Sequence, residues 1–183
     1  MMSMRKLGVI GALLLSTIAV ANALTLSANP SSVIVKAGSS NYTTVTFYES
    51  TVSGIYAFNA SSITNPLIGV TVYGPYLDPN FTQPVIVGGT NYTTTATLGT
   101  QITWPGNAST NYYFKVVFTA PNTITTTQTF TCTISGAVAS LVPLSIKVSG
   151  TAVSGIVPPI PELATGILLT IGLAGLMIVK RKE

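Results

Sequence analysis

Acid–base catalysis near neutral pH calls for histidine or for paired carboxylates whose environments drive their pKa values apart. This chain of 183 residues has no histidine and four acidic residues. Two of them, Glu49 and Asp78, fall in its body, far apart in sequence. A Ser–Lys dyad would have to use Lys36, Lys115 or Lys147, and no Ser-x-x-Lys or nucleophile-elbow pattern surrounds them. Zinc needs His and Cys ligands, and calcium loops cluster several carboxylates; neither set is present. The expectation is a protein that is not an enzyme, with no catalytic residues, no metal and no cofactor.

Three other kinds of residue could do chemistry. Cys132 is the only cysteine, so no intrachain disulfide can form. In the run Thr129 to Ser135 it alternates onto the apolar face with Phe130 and Ile134, as a buried hydrophobe would. Trp104, the single tryptophan, could stack on a sugar ring or close one end of a core, and its bulk favours the core. Tyr73, Tyr76, Tyr112 and Tyr113 are similar stacking candidates. Asn-x-Ser/Thr sequons at Asn41, Asn59, Asn80, Asn91 and Asn107 are candidate glycosylation sites, against about three expected by chance.

The two ends decide where this chemistry would take place. Arg5 and Lys6 precede an apolar run from Leu7 to Val20 and the small-x-small site Ala21-Asn22-Ala23, the pattern of a secretory signal peptide over residues 1–23. Leu24 is then the expected mature N-terminus. Residues 156–162 form a proline-rich linker, and residues 163–179 are uncharged, about the shortest length that spans a bilayer as a helix. The basic tail 180–183 prefers the cytoplasmic side, so residues 24–155 are expected outside the cell, anchored by a single-pass C-terminal helix. Gly166, Thr170 and Ala174 give that helix a stripe of small residues. The net charge of +4 does not imply nucleic-acid binding, because Arg5, Lys6, Lys180, Arg181 and Lys182 all lie in the terminal segments.

The body is rich in Ser, Thr, Val, Ile and Tyr and lacks helical periodicity. Alternating runs are expected as strands at 42–48, 55–58, 67–73, 92–98, 112–119, 127–135 and 144–148, with Gly and Pro marking turns between them. Seven or eight short strands predict an all-β fold, an antiparallel immunoglobulin-like β-sandwich. Pro143 cannot donate to a ladder, so the last strand should begin after it or lie at an edge.

Two stretches support that architecture by resemblance. Leu26-Ser27-Ala28-Asn29-Pro30-Ser31-Ser32-Val33-Ile34-Val35-Lys36-Ala37-Gly38 resembles the opening of bacterial and archaeal immunoglobulin-like surface modules. Tyr113-Phe114-Lys115-Val116-Val117-Phe118-Thr119-Ala120-Pro121 resembles their late strands. At the C-terminus, Pro161-Glu162-Leu163, the apolar run with Gly172-Leu173-Ala174-Gly175-Leu176, and Lys180-Arg181-Lys182 are similar to the sorting signals called PEF-CTERM in archaea and PEP-CTERM in bacteria. Leu163 stands where those motifs carry Phe or Pro. The resemblance implies recognition by an archaeosortase or exosortase that would remove the helix. The tail and the sequons lean archaeal.

The resulting expectation is a non-catalytic cell-surface structural or adhesion protein. Its partners would be the membrane, a sorting enzyme and surface glycans or envelope proteins, with no nucleic acid. Two alternatives are a carbohydrate-binding module, favoured by exposed coplanar aromatics, and a filament subunit that donates Leu24 to Ala28 to a neighbour's sheet.

Overall fold

The computed structural model describes residues 24–138 and 142–155. The expected signal peptide, linker, membrane helix and tail lie outside the described residues, as do Pro161, Glu162, Leu163, Lys180, Arg181, Lys182 and the Gly166, Thr170, Ala174 stripe. Among the described residues the chain is all-β, with twelve strands and no helix. In chain order they are β1 (Leu24–Asn29), β2 (Ser32–Lys36), β3 (Ser40–Glu49), β4 (Gly54–Ile63), β5 (Gly69–Tyr76) and β6 (Ile86–Val87). They continue as β7 (Thr90–Asn91), β8 (Thr94–Thr97), β9 (Ile102–Gly106), β10 (Thr110–Thr119), β11 (Gln128–Val138) and β12 (Leu144–Val153).

Two five-stranded sheets, β1-β3-β10-β5-β8 and β2-β12-β11-β4-β9, hold the core between them, while β6 and β7 form a separate hairpin. Alternation puts one set of side chains inward on each strand. On β3 these are Thr43, Val45, Phe47 and Glu49; on β10 they are Tyr112, Phe114, Val116 and Phe118. The sheets meet through aromatic pairs. Phe58 stacks on Phe114 with ring centroids 3.8 Å apart and planes 6° from parallel, and Phe118 tilts against Phe130 at 5.1 Å.

All seven expected runs contain strands, most of them longer than the sequence pattern suggested. Two features differ. First, the opening stretch is not one strand. Pro30 has no N–H to give, and the chain breaks there, pairing as β1 antiparallel to β3 in one sheet and as β2 beside β12 in the other. Because β2 keeps the heading of β1, its pairing with β12 is parallel, so the sheets are not wholly antiparallel. Second, Pro105-Gly106, expected to mark a turn, ends the edge strand β9 (Ile102–Gly106). An edge strand tolerates Pro105, which needs no ladder hydrogen bond on its open side.

Strand register also defines the two ends of the molecule. Leu24, Glu49 and Thr110 lie level at one end. Lys36 and Val153 lie level at the other, where Ala37 N donates to Val153 O and the chain reaches Gly155. The first and last described residues therefore sit at opposite ends of the sandwich.

Candidate functional site

The residues with chemical potential are drawn into the architecture one by one. Cys132 faces inward on β11, fully buried, and burial pushes its thiol up to about 11. Trp104 faces inward on β9 and is 1% exposed. It packs edge-on to Phe47, Tyr56 and Tyr112 at 5.3 to 5.6 Å. This is the core role its bulk suggested, and it corrects the stacking alternative, since a buried indole has no face to offer a sugar. Tyr112, at 2% exposure, is lost to ligand stacking for the same reason.

The outer face of the β1-β3-β10-β5-β8 sheet carries a different aromatic group, of which sequence reasoning named Tyr76 and missed Tyr42 and Phe81. Tyr42 on β3 and Phe81, in the loop after β5, flank Lys115 of β10, and Tyr76 on β5 packs edge-on to Phe81. The ammonium lies 4.5 Å from the Tyr42 ring centroid and 5.8 Å from that of Phe81. Phe81 adopts a positive φ of 61°, unusual for a bulky residue. Asp78 shapes this loop by accepting hydrogen bonds from Asn80 N, Thr82 N, Thr82 Oγ1 and Gln83 N. Desolvation is the largest single influence and raises the Asp78 pKa, but these donors together outweigh it and hold the carboxyl below its usual value. The rings meet at 77° and 67°, edge to face. They close on one another and on Lys115 instead of forming the coplanar platform a carbohydrate module would present. Tyr73 is exposed and Tyr113 half-buried on the same face. Beside it, a surface groove of about 550 Å³ runs between Pro30–Ile34 and Asn41–Thr44.

The sequon asparagines 41, 80, 91 and 107 are exposed and Asn59 is half-buried. In every case the hydroxyl two residues on is bonded within the fold. Thr43 donates to Pro30 O, Ser61 to Thr133 O and Thr93 to Pro75 O. Thr82 donates to Asp78 and Ser109 to Ser50 O. Asn41 itself donates through Nδ2 to Ile34 O, tying the two sheets at their margin.

Glu49 is the remaining chemically notable residue. Its carboxylate is fully buried at the inner end of β3, where Oε1 accepts from Thr51 N, Thr51 Oγ1 and Val52 N. Oε2 has no hydrogen-bond partner, and neither does the buried Trp104 Nε1. Among the described residues no group of three or more Cys, Asp or Glu is placed to hold a metal ion.

No family model and no curated protein matches the chain. Solved structures similar to it include a family 123 glycoside hydrolase from Clostridium perfringens, at 8% identity and a TM-score of 0.44, with 77% of this chain and 29% of that one covered. The periplasmic chaperone SfaE is similar at 11% identity and a TM-score of 0.42, over 78% of this chain and 63% of the chaperone. AvmM, which catalyses macrocyclization in alchivemycin A biosynthesis, is similar at 9% identity and a TM-score of 0.38, over 75% and 92%. The chain spans less than a third of the hydrolase and less than two thirds of the chaperone. Likenesses this distant assign no activity to it.

Proposed function

We propose that this chain is a non-catalytic, immunoglobulin-like surface domain, exported by its N-terminal segment, retained at the membrane by its C-terminal segment, and acting in envelope structure or adhesion. The observation that carries this reading is a distribution of apolar surface. Of the eleven exposed large apolar side chains among the described residues, Ile55, Leu77, Val142 and Leu144 lie at the end remote from Gly155, and Ile86 and Val87 sit on the separate hairpin entered from Pro84, which is bridged to Tyr76 near that end. A domain tethered through residues 156–183 would present that end outward, where apolar surface serves contact with another protein. The use of Glu49 and Asp78 to hold turns supports a structural reading of the few acids present.

The sorting motif Pro161-Glu162-Leu163 with Lys180-Arg181-Lys182 suits cleavage by a membrane enzyme after export, and the exposed sequons suit glycan addition on the exported side. Donation of the Leu24 to Ala28 segment to a neighbour finds no support, since β1 pairs along its whole length with β3 of the same chain.

Whole cells of the native host test the proposal. External protease should digest the domain, intact mass should start at Leu24, and Pro161→Ala with Glu162→Ala should make the full-length form accumulate. Ile86→Asp with Val87→Asp should abolish cross-linking of the domain to neighbouring envelope proteins on whole cells while leaving export and membrane retention unchanged. A chain recovered from the cytoplasm with Met1 intact would refute the reading.

A further inference from the structure

The buried carboxylate of Glu49 poses a problem that the described residues leave unsolved. Taking a carboxylate out of water is costly unless an opposite charge or a full set of donors meets it. Here all three donors bind Oε1, and Oε2 is left bare. Lys36, Lys115 and Lys147 point to the outer sides of their strands, away from the core. The titratable groups that face the core at this end are Tyr56 on β4 and Tyr112 on β10, and neither hydroxyl is within hydrogen-bond reach of Oε2. Tyr56 donates to Val52 O, and Tyr112 accepts from Asn107 N.

Directly across the β1–β3 pair from Glu49 stands Leu24. Both residues are buried and face the same core. Ser109 N donates to Glu49 O at 2.6 Å, so the Glu49 main chain is turned toward β10 and not toward β1. Leu24 and Glu49 are therefore a non-hydrogen-bonded pair, the kind whose Cα atoms approach to about 4.5 Å, and the Leu24 nitrogen takes no part in the ladder to β3.

We infer that cleavage between Ala23 and Leu24 creates the missing partner of Glu49: the α-ammonium of Leu24, freed at the end of β1, pairs with Oε2. The inference rests on the export reading for the position of the cut. Before cleavage this nitrogen is an uncharged amide; afterwards it is a cation on a terminal residue free to turn toward the carboxylate. Maturation would thereby lock β1 and the β3–β4 turn only in the processed chain.

The test uses chain recovered from an exporting host, with its N-terminus sequenced. Four forms are compared: wild type, Glu49→Gln, and each with one glycine inserted after Ala23 so that the new amine lies one residue farther out. The insertion should raise the unfolded fraction about 100-fold in wild type and leave Glu49→Gln nearly unchanged, as expected for a buried pair deprived of one member. Independently, the Leu24 amine should acylate at neutral pH about 10-fold more slowly in wild type than in Glu49→Gln, since the ion pair favours the ammonium and lowers the free-base fraction that reacts. This second readout remains informative should the insertion prevent folding. Equal effects of the insertion in both backgrounds, or equal acylation rates, would overturn the pairing while leaving export intact. A mature terminus other than Leu24 would overturn both.

Discussion

At the scale of single residues, this protein turns reactive groups into structural ones. Cys132 and Tyr56 show the cost in pH terms. Burial raises the Cys132 thiol from 9.0 to about 11. Burial, then the neighbouring Tyr112 and Glu49, raise Tyr56 from 10.0 to about 12. Both groups are neutral acids with folded values above their unfolded ones, so the folded state holds its protons longer. Their contribution is intact below pH 9 and is lost progressively as pH rises from 9 to 12. Chemical unfolding midpoints should accordingly fall across that range, and Cys132→Ala should remove the part that begins near pH 9. At pH 8 the folded thiol should alkylate at least about 100-fold more slowly than the unfolded one, the ratio expected from a two-unit rise. The Asp78 loop and the five bonded sequon hydroxyls follow the same rule, each polar side chain closing a piece of main chain. Apart from Thr82, which bonds Asp78 four residues away, the sequon hydroxyls find partners 13 to 72 residues distant, beyond the reach of a motif search. The sequons were therefore legible in the sequence as candidate modification sites, but their structural use was not.

At the scale of elements, close approach decides what each strand can carry. Gly150 on β12 faces Phe130 on β11, and a Cβ there would collide with the ring. Gly106 on β9 lies under Tyr56 in the same way. Gly150→Ala and Gly106→Ala should each destabilise by about 1–3 kcal/mol, the usual cost of overpacking. Gly54→Ala, where a Cβ meets open space, should stay within about 0.5 kcal/mol, as read from urea midpoints. Pro105-Gly106 read as a turn because both residues are turn formers. On an edge strand, Pro105 lacks an N–H that is not needed and Gly106 makes room for an aromatic ring.

At the scale of the whole molecule, two sheets are joined by aromatic contacts and leave apolar residues exposed at one end. Phe58 and Phe114 come from opposite sheets and stack at the centre. Phe114→Ala should therefore cost about 3–5 kcal/mol in equilibrium unfolding. Ile86→Asp, on the separate hairpin, should cost no more than about 0.5 kcal/mol. Comparable losses from both substitutions would show that the hairpin is part of the folded core.

By itself the sequence determined that the body is all-β, which strands carry inward alternation, and that Cys132 belongs inside. Each follows from the period-2 pattern of side chains, a property local to the strand. It could not determine that Pro30 divides the first strand between two sheets, that β2 runs parallel to β12, or that Trp104 is closed off by Phe47, Tyr56 and Tyr112. Nor could it place Leu24 opposite Glu49. Those facts depend on which distant strands become neighbours, and local periodicity is the same whichever partner a strand takes. The choice is made by packing across the core, where Phe47, Phe58, Phe114 and Trp104 fit together in one arrangement of sheets.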